Sequence, residues 1–257
     1  MLRILQFSDT HLFADPAQCC YGINPDLSLQ KILEFSQGRE TSARLAIVTG
    51  DLVHDGSAAA YERFQHYFSL MEMPVYCLPG NHDERQVMRA HLGGGRVQQQ
   101  SLVVCDGWLL ILLDSTVAGA VGGHLDQAAL DFVDRTLARY PLYHVLIALH
   151  HPPRPCGCDW LDQGLLLDNP EDLFALMHAH GTVRCLLWGH IHQVYEQDDA
   201  GIRLLGTPST MAQFKPASQA FAIDHSTPAY RWLNLHDDGS LDSGIVRLPD
   251  GDIPACR

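Results

Sequence analysis

Basic residues are scarce in this chain: 17 lysines and arginines stand against 30 acidic residues, a formal net charge of −13 over 257 residues. A surface of that sign argues against long nucleic acid, whose binding depends on neutralising many phosphates. If a substrate carries phosphate, something local must reverse the field, and bound cations are often the largest charges in a site. Also lacking are Ser/Pro/Gly linkers, blocks of like charge, internal repeats and low-complexity segments. A chain of this length that is 46% hydrophobic buries a full core, and residues 1–257 read as a single domain. No apolar run approaches membrane-spanning length, and the N-terminal apolar stretch meets polar residues by Ser8, early for a signal peptide. The eight cysteines are scattered apart from Cys19-Cys20 and Cys156-Gly157-Cys158. They form no zinc-type pair of pairs and no disulfide framework. Reduced thiols in the cytoplasm are the expectation.

Histidine, by contrast, is abundant, with 15 copies. Short apolar runs that read as buried strands precede polar clusters again and again. Residues 1–8 lead to Asp9-Thr10-His11, Leu45-Ala46-Ile47-Val48 to Thr49-Gly50-Asp51, and Val75-Tyr76-Cys77-Leu78 to Pro79-Gly80-Asn81-His82-Asp83. Residues 144–149 deliver His150-His151-Pro152-Pro153, and residues 183–188 end in Gly189-His190-Ile191-His192. Trp108 to Leu113 is a further buried strand. Helices are expected over Asp26–Gln37, after an N-cap at Ser57, over Glu84–Leu92 and Asp126–Arg139, and from an Asn169 cap to His180. Strand-like pieces follow at Ile202–Leu205, Ala220–Ile223, Tyr230–Leu235 and Gly244–Leu248. Strands alternating with helices and then a run of strands predict layered α/β sheets with helices outside.

Each polar cluster alone is an ordinary turn, since Asn and Asp tolerate left-handed backbone and bond their own main chain. Five strand ends that each present Asp, Asn or His, four of them beside Gly or Pro, point instead to one convergent metal centre, in the region where α/β folds bind ligands. Mixed imidazole, carboxylate and amide donors are what borderline divalent transition metals select. If strand geometry persists, the two-residue spacing of Asp9/His11 and of His190/His192 lets each pair face one ion. Consecutive His150 and His151 cannot both do so, and spacing does not decide between them. Asp51, with two oxygens, can bridge two ions. His54 and Asp55 read as turn residues or supports, and His124 as structural.

The order Asp-x-His, Gly-Asp, Gly-Asn-His-Asp, His-His-Pro-Pro, Gly-His-x-His resembles the calcineurin-like metallophosphoesterase superfamily over residues 9–192. Ser8-Asp9-Thr10-His11-Leu12, residues 158–163, Gly189-His190-Ile191-His192-Gln193, Thr207-Pro208-Ser209-Thr210 and Gln213-Phe214-Lys215-Pro216 are similar to bacterial class III 3',5'-cyclic AMP phosphodiesterases. The resemblance implies a four-layer α/β/β/α sandwich. It implies Asp9, His11 and His192 on one ion, Asn81, His150 and His190 on the other, and Asp51 between them. Iron or manganese are the metals it implies, with zinc or cobalt admitted by the ligand chemistry. A water shared by the ions would attack phosphorus in line and open cyclic AMP to 5'-AMP. His82, oriented by Asp83, would hydrogen-bond the phosphoryl group or protonate the leaving oxygen, or else support Asn81. Substrate contacts are expected from His11, Asp51, Asn81, His82 and His192, and His151 would either touch substrate or support the ligands from behind. The partner implied is a small cyclic nucleotide, with no long nucleic acid and no membrane, and the oligomeric state is left open. Another small-molecule phosphoesterase, such as a glycerophosphodiesterase or nucleotide phosphatase, would use the same metals with a different pocket. A metal-free scaffold of the same fold would have lost ligands.

Overall fold

The computed structural model describes residues 1–252 and residue 256. In chain order the strands are β1 Leu2–Phe7, β2 Leu45–Thr49, β3 Val75–Leu78, β4 Val97–Gln98, β5 Leu102–Cys105, β6 Trp108–Leu112 and β7 His144–Ala148. They continue as β8 Val183–Trp188, β9 Tyr195–Asp199, β10 Ile202–Gly206, β11 Gln213–Phe214, β12 Ile223–Asp224, β13 Ala229–Leu235 and β14 Leu241–Arg247. The helices are α1 Pro25–Arg39, α2 Ala58–Ser69, α3 Arg85–His91, α4 Gln127–Arg139, α5 Asp159–Asp162 and α6 Pro170–His180.

One six-stranded sheet has the order β14-β13-β1-β2-β3-β4, and a second the order β5-β6-β7-β8-β10-β9. Side chains alternate across a strand, so each central strand feeds two cores. Leu2 and Ile4 of β1 pack between the sheets with Leu45, Ile47, Leu110 and Leu146. Leu5 and Phe7 face the other way, onto Leu29 and Ile32 of α1 and Tyr61, Phe64 and Phe68 of α2. On the far sheet Leu109, Ile111, Val145 and Ile147 turn outward to Val133 of α4 and Phe174 and Met177 of α6. The layers are therefore helix, sheet, sheet, helix.

Burial on both faces explains why these strands are near-continuous apolar runs. The pairings β1–β2, β2–β3, β6–β7, β7–β8 and β8–β10 are parallel, so both sheets bring carboxyl ends to one edge of the sandwich. Gln6, buried between the sheets, ties them there: its amide donates to Thr49 Oγ1 and to the Trp188 carbonyl, and accepts from the Thr207 hydroxyl. Ser57 caps α2 through the Ala60 amide, as expected.

Several expected elements differ. Asn169 precedes α6 but makes no capping bond. Its amide pairs instead with both main-chain polar groups of Leu125 and holds the loop before α4. Of the strand expected at Ala220–Ile223, only the short β12 forms. The cysteines do not all stay reduced: Cys19 and Cys256 form a disulfide across 237 residues, a pairing that sequence spacing gave no means to find.

Candidate metal centre

Left-handed backbone, not continued strand geometry, brings the donors together. Asp9, His11, Asp51, His190 and His192 have φ between 47° and 66°. Such conformations are uncommon for residues with a β-carbon and persist where surrounding structure fixes them, as at functional sites. The amides of Asp9 and His11 donate to the carbonyls of Gly50 and Asp51, stitching the loop after β1 to the loop after β2. Glycines permit the crowding. A β-carbon on Gly80 would lie 2.2 Å from Asp51 Oδ1, and one on Gly189 2.0 Å from Ser8 Oγ and 2.8 Å from Asp9 Oδ2.

The donors form two sets that meet at Asp51. Around one position, His192 Nε2 lies 3.3 Å from Asp9 Oδ1 and 3.3 Å from His11 Nε2, and His11 Nε2 lies 3.6 Å from Asp51 Oδ2. Around the other, His150 Nε2 lies 3.4 Å from Asp51 Oδ2, 3.1 Å from Asn81 Oδ1 and 3.1 Å from His190 Nδ1. Apart from Asn81, which is partly buried, all these residues are buried. The carboxylates are held by main-chain donors as well: the His190 amide donates to Asp9, and the His82 amide to Asp51 Oδ1.

The far nitrogens of the rings give this packing a chemical reading. His150 Nδ1 lies 2.8 Å from the Thr49 carbonyl, and His192 Nδ1 2.8 Å from the Ala212 carbonyl. A carbonyl only accepts, so Nδ1 carries the proton and Nε2 of the neutral ring presents a lone pair. In each case that lone pair faces a carboxylate oxygen, an arrangement of acceptor against acceptor that a cation between them relieves. His190 Nε2 is buried without any hydrogen-bond partner among the described residues. The donor set therefore fits divalent metals, and the outer bonds to carbonyls are those that fix ligating imidazoles.

The electrostatics agree. Burial costs the Asp51 carboxylate, yet the neighbouring His150 and His11 hold it well below the usual range. Burial likewise opposes charge on His150, but Asp51 outweighs it and pushes the imidazole up to about 9. A proton meets there the demand that a metal would meet. Burial keeps His11 and His190 well below the ordinary histidine value, the neutral form that ligates.

Two side chains expected near the chemistry, those of Asp83 and His151, are hydrogen-bonded away from the cleft. Asp83 does not orient His82. Its carboxylate accepts from the amides of Leu52, Val53 and Gly80 and from the Tyr61 hydroxyl, so it braces the loop from beneath. Burial, with the charge of Asp51, pushes it up to about 7. His82 is oriented instead by His54: its Nδ1 lies 3.1 Å from the His54 carbonyl, and the two rings stack at 4.4 Å. His151 is buried with Nδ1 2.8 Å from Ser115 Oγ and Nε2 3.0 Å from the Val121 carbonyl. Neither nitrogen remains for a substrate, and burial and His150 hold it down at about 3. His11, Asp51, Asn81, His82, His190 and His192 do line one cleft. Its other half is apolar, with Tyr21, Trp160, Phe214 and Phe221, a contribution for which only Trp160 and the segment ending at Phe214 gave a sequence signal.

Comparison with known proteins follows the same lines. Residues 2–194 match the calcineurin-like phosphoesterase family. A 3',5'-cyclic adenosine monophosphate phosphodiesterase, CpdA, of Pseudomonas aeruginosa is 40% identical over 247 residues, covering 96% of this chain and 90% of that protein. A 3',5'-cyclic-nucleotide phosphodiesterase of Nostoc sp. is 36% identical, covering 96% of this chain and 93% of its own length. Among solved structures, a dimetal phosphatase from Danio rerio superposes with a TM-score of 0.62 at 17% identity, over 90% of this chain and 94% of that one. That last likeness speaks for the fold alone.

Proposed function

The chain belongs to the calcineurin-like phosphoesterase family, and from that premise we propose that it hydrolyses 3',5'-cyclic AMP to 5'-AMP with two divalent metal ions. The observation that carries this reading is the pair of donor sets meeting at Asp51, in a chain 40% identical to a cyclic AMP phosphodiesterase over nearly its whole length. Asp9, His11 and His192 would hold one ion and Asn81, His150 and His190 the other, with Asp51 serving both. Iron and manganese are the metals we favour, with zinc and cobalt as alternatives. Bound divalent cations supply Lewis acidity toward phosphoryl oxygens and acidify a coordinated water.

The chain's own residues do the rest. Tight hydrogen bonds to Thr49 and Ala212 keep His150 and His192 from turning away when the site is loaded. His82, with Nδ1 committed to the His54 carbonyl, offers its Nε2 edge to the cleft. We assign that atom, in the imidazolium form with both ring nitrogens protonated, to hydrogen-bond a phosphoryl oxygen or to hand its proton to the departing 3' oxygen, leaving the neutral ring with its proton on Nδ1. We place the enzyme in the cytoplasm, where its six free thiols would persist and the Cys19–Cys256 disulfide would be open to reduction.

Product analysis tests the reading. Metal-reconstituted protein is incubated in parallel with cyclic AMP, cyclic GMP, a glycerophosphodiester and 5'-AMP. Conversion of cyclic AMP to 5'-AMP far faster than cleavage of the glycerophosphodiester or of 5'-AMP, abolished by chelation and restored by metal, is expected. Cleavage of the linear diester or monoester with cyclic nucleotides intact would leave the metal centre standing and overturn the substrate.

A further inference from the structure

The apolar half of the cleft has no role in holding metal. Phe214 is at its centre. Its ring stacks on the His192 imidazole at 4.0 Å and 8°, so it begins one stacking distance from a metal donor. Trp160 and Phe221 meet Phe214 edge-on at 5.1 Å and 5.6 Å, and each other at 5.2 Å. Tyr21 completes the group, 6.1 Å from Phe214 and 5.2 Å from Phe221.

Two of these rings are out of place for a core. Tyr21 is 44% exposed and Phe221 48%, although hydrophobic burial favours covering both. Tyr21 is moreover held at φ 51°, a conformation that a bulky residue rarely takes and that here turns it toward the mouth of the cleft. The rings come from three separate segments: the loop before α1, the helix α5, and the chain around β11 and β12. Val121 and Leu165 extend the apolar lining, and among the residues that line the cleft no Asp, Glu, Lys or Arg stands in this half.

We propose that Tyr21, Trp160, Phe214 and Phe221 form the subsite for the nucleobase of the substrate, an aromatic wall against which the flat ring packs while its phosphate lies at the metal donors. The inference rests on the cyclic nucleotide reading above. Recognition by ring faces is tolerant of base identity, because every base has a π-face. The wall accordingly supplies affinity and position, and demands an aromatic ring on the substrate.

The test uses the exposed members, whose truncation spares the core. Phe221→Ala and Tyr21→Ala are compared with the parent protein on cyclic AMP and on the base-free ribose 3',5'-cyclic phosphate. Direct binding of cyclic AMP to the metal-depleted protein is followed by tryptophan fluorescence. For cyclic AMP, KM and the dissociation constant are each expected to rise roughly tenfold per ring removed. Turnover of the base-free compound should be unchanged, and Phe221→Tyr should restore binding. Equal losses on both compounds, or no loss on either, would overturn the subsite. A parent protein that binds and cleaves no cyclic nucleotide would overturn the substrate reading instead. Cyclic AMP cleavage by the parent with undiminished binding in both variants would leave that reading and remove only the wall.

Discussion

Asp83 and His82 are neighbours in sequence, and the roles of the two side chains separate completely in space. The Asp83 carboxylate collects the amides of Leu52, Val53 and Gly80 and the Tyr61 hydroxyl. Removing it orphans several donors at once, at about 1–3 kcal/mol for each that stays dry. Asp83→Ala is therefore expected to lower the melting temperature by several degrees and to lose activity by loosening the loop that carries Asn81. His82, partly exposed and resting on the His54 ring, makes one main-chain hydrogen bond, to the His54 carbonyl. His82→Ala should melt within a degree or two of the parent and bind a full complement of metal, yet fall about a hundredfold or more in kcat, as loss of a proton-transfer group does. Thermal melts, metal analysis and kinetics on both variants check the pair. A stable, metal-replete Asp83→Ala protein with depressed kcat would return Asp83 to the chemistry. The donor residues were legible in the sequence because each cluster follows an apolar strand, and four of the five clusters contain Gly or Pro. The direction of each side chain was not legible: it depends on left-handed backbone at Asp9, His11, Asp51, His190 and His192. The rings Tyr21 and Phe221 were invisible for another reason, since an aromatic residue in an irregular segment carries no sign of whether it will be covered.

Among the elements, those that both sheets bury on two faces were readable as apolar runs, and β1, β2, β3, β6, β7 and β8 fall close to where periodicity puts them. The edge strand β9, with sequence YEQDD and little burial, reads as loop by the same criterion and becomes a strand only because β10 pairs along its length. The short α5 was hidden in a segment that looks irregular, and a single buried leucine, Leu161, anchors it. Asn169 shows how a correct local rule loses to tertiary context. A cap position was available, yet its amide bonds the Leu125 main chain and joins the start of α6 to the loop before α4. Asn169→Ala should cost about 1–3 kcal/mol for those two bonds, read as a melting temperature lower by several degrees. Asn169→Ser, which suits a helix N-cap but cannot span to both groups, should recover little of it. Full recovery with serine would make the residue a cap after all.

At the scale of the whole molecule, the net charge of −13 and the cleft are compatible because the candidate metal donors other than Asn81 are buried, only Asp9 and Asp51 among them are carboxylates, and the wall beside them is uncharged. The long connection that matters most is the Cys19–Cys256 disulfide. Closing a loop of 237 residues is worth about 5 kcal/mol in the chain-entropy account, before any native strain is subtracted. The bond also has a local effect. Cys20 and Ile23 exchange main-chain hydrogen bonds, Tyr21 sits at the tip of that tight turn, and the Cys256 amide donates to the Gly22 carbonyl. The bridge therefore clamps the turn that carries one ring of the aromatic wall, while touching none of the metal donors. Cys256→Ser, or reduction of the parent by dithiothreitol, is expected to lower the melting temperature by several degrees and to raise KM for cyclic AMP while leaving kcat and metal content nearly unchanged. Melting curves and kinetics with and without the reductant measure both effects, and the variant should be insensitive to it. A fall in melting temperature with KM unmoved would mean that Asn24, whose side chain caps α1 and bonds the Pro16 carbonyl, shapes the Tyr21 turn by itself. The disulfide would then be a brace on the chain terminus with no hold on the site.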